Sequence, residues 1–263
     1  MFGLGRKPGE SKSCPIRIKI LRASETGLVR KDNQDNLFID AMTNVYCVAD
    51  GMGGGDEGAK ASRIVCECLR RAVSQTGAGF VDRMEAVAGA IDEANFTVYD
   101  YARQRRYRQM GSTAAVLMFD GENKGRAAVC YVGDSRVYRV CRGLAAQLTR
   151  DHTVGAELSL RAGASGPDTD AFASRSNPLS HILTRAVGTE LSVAPDWRKV
   201  DVHEGDRFVI CSDGVHDVIT NTRLGFLVGY DTLEKAKERL VAEIVKNGAP
   251  DNYSFILVEV VGL

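Results

Sequence analysis

The sequence predicts an α+β fold: mainly antiparallel sheets with helices packed outside them. Two observations carry this. Strand-like segments come in groups instead of alternating singly with helices, which argues against a run of βαβ units. No internal repeat or linker divides the 263 residues, so the strands share one body.

The elements follow in order. Ile16, Ile18 and Ile20 alternate with Arg17 and Lys19, the pattern of a half-buried strand. Leu37 to Asp40 and Val45 to Ala49 read as two strands joined by a turn near Met42 to Asn44. Glu57 to Ala72 and Val81 to Tyr101 read as helices. Ser112 to Phe119 and Arg126 to Val132 are strands joined by Asp120-Gly121-Glu122-Asn123, a hairpin signal. Arg136 to Cys141 and Gln147 to Leu148 continue the β pattern, and His152 to Ala162 is helical. Gly163 to Ser180, rich in Gly, Ser, Asp and Pro, reads as a mobile loop. Val200, Val202 and Phe208 to Cys211 are strand positions. Leu233 to Val245 is an amphipathic helix with Leu233, Ala236, Leu240 and Ile244 on one face. Phe255 to Val261 closes the chain as a strand.

Lys+Arg and Asp+Glu both number 34, so the formal net charge is zero. That balance gives no reason to expect nucleic acid or an anionic membrane as a partner. Apolar runs such as Ala114 to Phe119 are strand-length, far short of a membrane span. Met1 to Ser13 lacks an apolar signal core and reads as a flexible tail on a cytoplasmic protein. Seven Cys occur without a CxxC pair, and Cys47, Cys130 and Cys211 lie in apolar runs, the setting of buried, reduced thiols. The four His (152, 181, 203, 216) lack zinc-ligand spacing and read as structural.

Four acidic motifs carry the chemistry: Asn33-Gln34-Asp35, Asp50-Gly51-Met52-Gly53-Gly54, Ser212-Asp213-Gly214 and Asp251-Asn252. Each adjoins an apolar run, so their carboxylates can converge if the strands share a sheet. Clustered carboxylates need cations, and Mg²⁺ or Mn²⁺ prefers oxygen ligands. Asp-Gly alone is a turn signal, as in Asp120-Gly121. Asp50-Gly51 differs because further glycines follow, letting backbone approach a ligand closely. Asp134, after Gly133, is either a turn residue or a further carboxylate for an extra metal. Arg30 offers a planar donor fork suited to phosphate oxygens. The run Arg103, Arg105, Arg106 and Arg108 is either a solvated helix end or a docking patch for acidic or phosphorylated partners.

Taken in order, these segments resemble the bacterial branch of the PPM-type (type 2C) metal-dependent Ser/Thr protein phosphatases. The matching stretches are Arg30 to Asp35, Ala49 to Gly54 with Gly58 to Ser62, Gly111 to Ala114, Val132 to Arg136, Leu148 to His152, Leu183 to Gly188, Gly205-Asp206 with Cys211 to Gly214, and Asp251-Asn252. The resemblance implies a four-layer α/β/β/α sandwich formed by one domain over 14–263, with a flap near 163–180. It implies two Mn²⁺ or Mg²⁺ ions, and a third. Asp50 is similar to the carboxylate that bridges two metals, and Gly51 to the residue that offers its backbone carbonyl. Asp213 and Asp251 resemble ligands of the first metal, Asp35 a carboxylate near the second acting through water, and Asp134 with Asp213 a third-metal pair. Arg30 matches the phosphate-binding Arg, and Asn252 has a supporting place. The implied reaction is direct attack on phosphoserine or phosphothreonine by a metal-bridging hydroxide, with Arg30, Asp50 and Asp213 catalytic. Phosphorylated proteins and an opposing Ser/Thr kinase would be partners of a monomeric enzyme. The alternative is a non-catalytic phosphoprotein-binding scaffold on the same fold. Some relatives place a His after the Asp-Gly pair, proposed to protonate the leaving oxygen; here Met52 leaves that acid unassigned.

Overall fold

The computed structural model describes residues 16–54, 56–76, 79–121, 125–162 and 178–263. The expected tail (1–13), Gly55, Glu122 and Asn123 of the hairpin turn, and residues 163–177 of the expected flap lie outside the described residues.

Two antiparallel sheets stack face to face. The first has the order β1 (Arg17–Glu25), β11 (Tyr253–Gly262), β10 (Arg207–Cys211), β7 (Arg136–Cys141), β8 (Leu144–Gln147). The second runs β2 (Asp35–Asp40), β3 (Val45–Met52), β5 (Ala114–Phe119), β6 (Arg126–Val132), β9 (Asp196–Asp201), with the short β4 (Gly111–Ser112) also paired to β3. Helices α1 (Asp56–Ser74) and α2 (Phe80–Arg105) cover the outer face of the second sheet. The remaining helices are α3 (Val154–Arg161), α4 (Asp213–His216), α5 (Asn221–Gly229) and α6 (Leu233–Lys246), of which α5 and α6 cover the first sheet. This is the expected four-layer arrangement.

Side-chain alternation explains three cores instead of one. On β3, Tyr46 and Val48 point between the sheets, where Phe119 meets Phe208 edge-to-face at 5.4 Å. Their neighbours Cys47 and Ala49 point outward under Leu69 and Ile91 of α1 and α2. On β10, Phe208 and Ile210 face inward while Val209 and Cys211 face Leu240 and Ile244 of α6. Strands buried on both faces read as continuous apolar runs, which is why Ala114–Phe119 shows no alternation in sequence. Among the described residues no helix is long and apolar enough to cross a membrane.

Three expectations shift. The helix expected from His152 begins at Val154, because Thr153 caps it by accepting the Ala156 N–H at 3.2 Å. The strand expected at Gln147–Leu148 lies at Leu144–Gln147 and pairs with β7. Ser180, expected in a loop, belongs to a 3₁₀ turn over Pro178–His181. Helix α5 was not expected at all. It contains two glycines, and Gly225 is required there because a Cβ would sit 2.3 Å from the Gly143 carbonyl oxygen.

Candidate metal centre

The β2–β3 hairpin sets the first pair of carboxylates. Its register places Asp35 directly opposite Asp50. Like charges facing each other across a ladder destabilise it, so this pairing calls for compensation. Asp213 begins α4 just beyond β10, and Asp251 lies in the bend before β11. Asp50, Asp213 and Asp251 line one cleft of about 330 Å³ together with Arg30, Gly51 and Met52. Asp35 is 6% exposed and does not itself line that cleft. Asp134 is in the β6–β7 turn and buried, with its backbone carbonyl 3.1 Å from His216 Nε2.

The backbone around Asp50 is fixed by neighbours that carry no charge. Thr113 Oγ1 accepts the Asp50 N–H at 2.9 Å, and Ser112 Oγ donates to the Asp50 carbonyl at 3.0 Å. Thr113 N–H donates to that same carbonyl at 2.8 Å. Two positions admit only glycine. A Cβ on Gly51 would lie 2.0 Å from the Gly58 carbonyl oxygen, and one on Gly214 would lie 2.0 Å from the Asn252 carbonyl oxygen. The glycines beside Asp50 and Asp213 therefore let the α1 start and the β11 start close against the cleft.

Asn252 ties the Arg30 loop to β11. Its Oδ1 accepts the Gln34 N–H at 2.9 Å, and its Nδ2 donates to the Thr26 and Asp32 carbonyls, both at 2.9 Å. Only an amide both accepts and donates in this way. Ser212 Oγ donates to Asp35 Oδ2 at 2.8 Å, while Asp35 Oδ1 is buried with no hydrogen-bond partner.

Electrostatics mark the site. Burial pushes Asp35 up to about 6, against hydrogen bonds from its surroundings. Asp134 is pushed up to about 7, by burial and then by the charge of Asp151. Asp50 and Asp213 keep part of their surface open to the cleft but are crowded by protein elsewhere. Both are raised well above the carboxylate range, first by desolvation, then by Asp35 and Asp213 on Asp50 and by Asp134 and Asp217 on Asp213. These carboxylates repel one another, and an orphaned oxygen at Asp35 lacks a partner. A divalent cation reverses both conditions, so the residues fit a hard-metal site. Among the described residues no three His, Cys, Asp or Glu side chains alone converge to hold an ion. A shell here would draw on the Gly51 carbonyl and on water, as Mg²⁺-like ions commonly do.

Arg30, 59% exposed at its side chain, donates from Nη2 to Asp251 Oδ2 at 2.7 Å. That bond and the charge of Asp251 raise its pKa further, so it is permanently cationic. Every candidate on the cleft side (Arg30, Asp50, Gly51, Asp213, Asp251) therefore comes together, with Asp35 and Asp134 behind and beside them. Asp120 pairs with Arg126 at 2.7 Å in the β5–β6 hairpin, a structural role.

A family model described as Protein phosphatase 2C matches residues 24–247. The chain belongs to the protein phosphatase 2C family. Among curated proteins of this family, the Listeria monocytogenes serine/threonine phosphatase stp is 30% identical over 243 residues, covering 90% of this chain and 93% of that protein. The Mycobacterium tuberculosis serine/threonine protein phosphatase PstP is 27% identical over 245 residues, 93% of this chain. This chain spans only 45% of the length of PstP. Among solved protein phosphatase 2C relatives, Staphylococcus aureus Stp1 superposes with a TM-score of 0.83 at 25% identity, covering 97% of this chain and 100% of that one. The PstP catalytic domain in complex with 2 manganese ions superposes at 0.78 over 93% of this chain and 99% of that one. At 24% identity that last likeness concerns the fold.

The motif residues of this protein phosphatase 2C chain were legible in sequence, but their holders were not. Ser112, Thr113 and Ser212 act by hydrogen bonds to other motifs, and an isolated Ser or Thr gives no local sign of that. The signal available was their position inside the Gly111 to Ala114 and Cys211 to Gly214 stretches.

Proposed function

We propose that this chain is a metal-dependent phosphoserine/phosphothreonine protein phosphatase. The observation that carries the reading is the group of mutually repelling carboxylates at one cleft, with a permanently cationic Arg30 on its rim. Family membership gives the reaction class. In this reading Asp50, Gly51, Asp213 and Asp251 hold two divalent ions, with Asp35 behind Asp50 and with Asp134 and Asp213 holding a third. Mn²⁺ or Mg²⁺ fills these places, since the donors are all oxygens.

When bound, such ions acidify water and offset charge on phosphoryl oxygens. The chain does the rest. Arg30 binds the phosphoryl group through N–H donors not engaged by Asp251, and Asp251 keeps the fork oriented. Ser112 and Thr113 hold the Asp50 backbone, so its carboxylate faces the cleft without reorganising. Met52 has no ionisable group, so position 52 supplies no proton to the leaving oxygen. The single domain over 14–263, a flap at 163–180, phosphoprotein substrates, an opposing Ser/Thr kinase, a monomeric state and a cytoplasmic location belong to the same reading.

The test is phosphate release from a phosphothreonine peptide by purified protein in Mn²⁺ and again in EDTA. Turnover that needs Mn²⁺ and vanishes in EDTA is expected. No turnover with Mn²⁺, Mg²⁺ or varied peptides would overturn the assignment.

A further inference from the structure

The basic run at the end of α2 is not absorbed by the reaction. Arg103, Arg105, Arg106 and Arg108 are all exposed, in a chain whose net charge is zero. Among the described residues none of them forms an ion pair, and neither does Lys60 on α1. Asp100, on the same helix, accepts from Gln104 at 2.6 Å. Two of these cations share one ring. Lys60 Nζ lies 3.9 Å and Arg105 Cζ 4.5 Å from the centroid of Tyr101. An aromatic face attracts cations but leaves their positive charge uncancelled.

The run also abuts the cleft. The Gln109 carbonyl packs so closely on cleft-lining Gly53 that a Cβ there would lie 2.7 Å from it. Cleft-lining Met52 is the ladder partner of Gly111. Arg106 adopts the left-handed conformation at the helix end, with φ 60°, its N–H bonded to the Ala102 and Arg103 carbonyls. Glycine commonly occupies such a position, and here it carries a further cation. Beyond that turn, exposed Arg108 directly precedes Gln109, whose carbonyl packs on Gly53.

We infer that Lys60, Arg105 and Arg108 form a docking surface for an acidic peptide segment flanking the phosphorylated residue of the substrate. The occupant follows from charge complementarity: unpaired cations at the edge of a cleft whose own floor is acidic hold a chain that is anionic outside the phosphoresidue. The inference rests on the phosphatase reading for the phosphoresidue itself, but the binding it describes is measurable without turnover.

The test compares two fluorescent phosphothreonine peptides, one with three flanking Asp/Glu and one with neutral flanks, by anisotropy against the full chain in Mn²⁺. The acidic peptide is expected to bind about 5-fold tighter, the scale of a few solvent-exposed charge contacts. The Arg105→Gln/Arg108→Gln variant should erase that difference, as should raised salt. Its Mn²⁺-dependent hydrolysis of p-nitrophenyl phosphate should stay unchanged, because neither Arg touches the cleft floor. If release of Tyr101 disturbs the helix end, Lys60→Gln/Arg108→Gln makes the same measurement. Equal affinity for the two peptides, or a difference that survives in both variants, would overturn the docking surface. Tighter binding of a single-stranded oligonucleotide than of the acidic peptide would overturn the choice of occupant. Intact acidic preference with no hydrolysis of any phosphoester would leave the surface standing and sink the phosphatase reading.

Discussion

Asp134 and Asp151 are neighbours in the same interior, yet the protein treats them in opposite ways. Asp151 receives a fork from Arg136, with Nε at 2.9 Å from Oδ1 and Nη2 at 2.5 Å from Oδ2, and a further bond from Gln147 at 2.9 Å. Burial alone would raise its pKa, but Arg136 brings it below the usual carboxylate value. Asp134 receives no such fork and is pushed up to about 7, in part by Asp151 itself. The contrast separates two uses of a buried carboxylate. One is neutralised from within and serves the fold. The other is only partly offset by the Arg136 charge, too little to outweigh its burial and Asp151, and so favours positive charge supplied from outside.

The largest effect expected is on the uncompensated side. Asp50→Asn should lower Mn²⁺-dependent turnover by about 10³-fold or more, since several kcal/mol of charge stabilisation depend on the ions it would hold. Its metal-free melting temperature should not fall, because the substitution removes repulsion with Asp35. Near-normal turnover would erase the distinction between the two classes of carboxylate. On the compensated side, Arg136→Met should cost about 3–5 kcal/mol in a urea melt, by stranding Asp151. A loss below about 1 kcal/mol would mean that the fork does not compensate a buried charge.

A third measurement sets the classes against each other through pH. Asp35 and Asp134 have folded pKa values of about 6 and about 7, above their ordinary 3.8. The folded state then keeps protons that the unfolded chain has lost. The stabilisation is complete below pH 3.8 and disappears as pH rises through 6 and 7. In EDTA, stability should therefore fall across that window, and Mn²⁺ should flatten the fall. A flat EDTA profile would show that these carboxylates are compensated after all. The smallest effect expected is Arg30→Ala, which should raise the KM for a phosphopeptide by about 5–10-fold and change Mn²⁺ affinity by less than that. An unchanged KM would remove Arg30 from phosphate binding.

The two classes also differed in how far sequence revealed them. Asp35, Asp50, Asp213 and Asp251 sit in short motifs with Gly or Asn beside them, because close backbone approach demands those residues locally. The Arg136–Asp151 pair is made by a strand and a loop 15 positions apart, and nothing at either position signals the other. The fold divides likewise. Strands buried on both faces and the long helices α1, α2 and α6 announce themselves by runs and period. Helix α5 does not, because Gly225 and Gly229 lower its propensity for the sake of contact with Gly143, a demand set by tertiary packing.

The facing of Asp35 and Asp50 also makes the cleft sensitive to length. The register is set by the four-residue connection between Asp40 and Val45, where Asn44 takes a left-handed conformation with φ 56°. Strand side chains alternate faces, so one residue inserted there slides β2 by one step and turns Asp35 away from its place beside Ser212. Two inserted residues, if they slide β2 by two steps, keep the face but move the carboxylate two positions along the ladder. A turn on the far end of the hairpin, untouched by any ligand, thus acts as a ruler for the spacing of charges at the other.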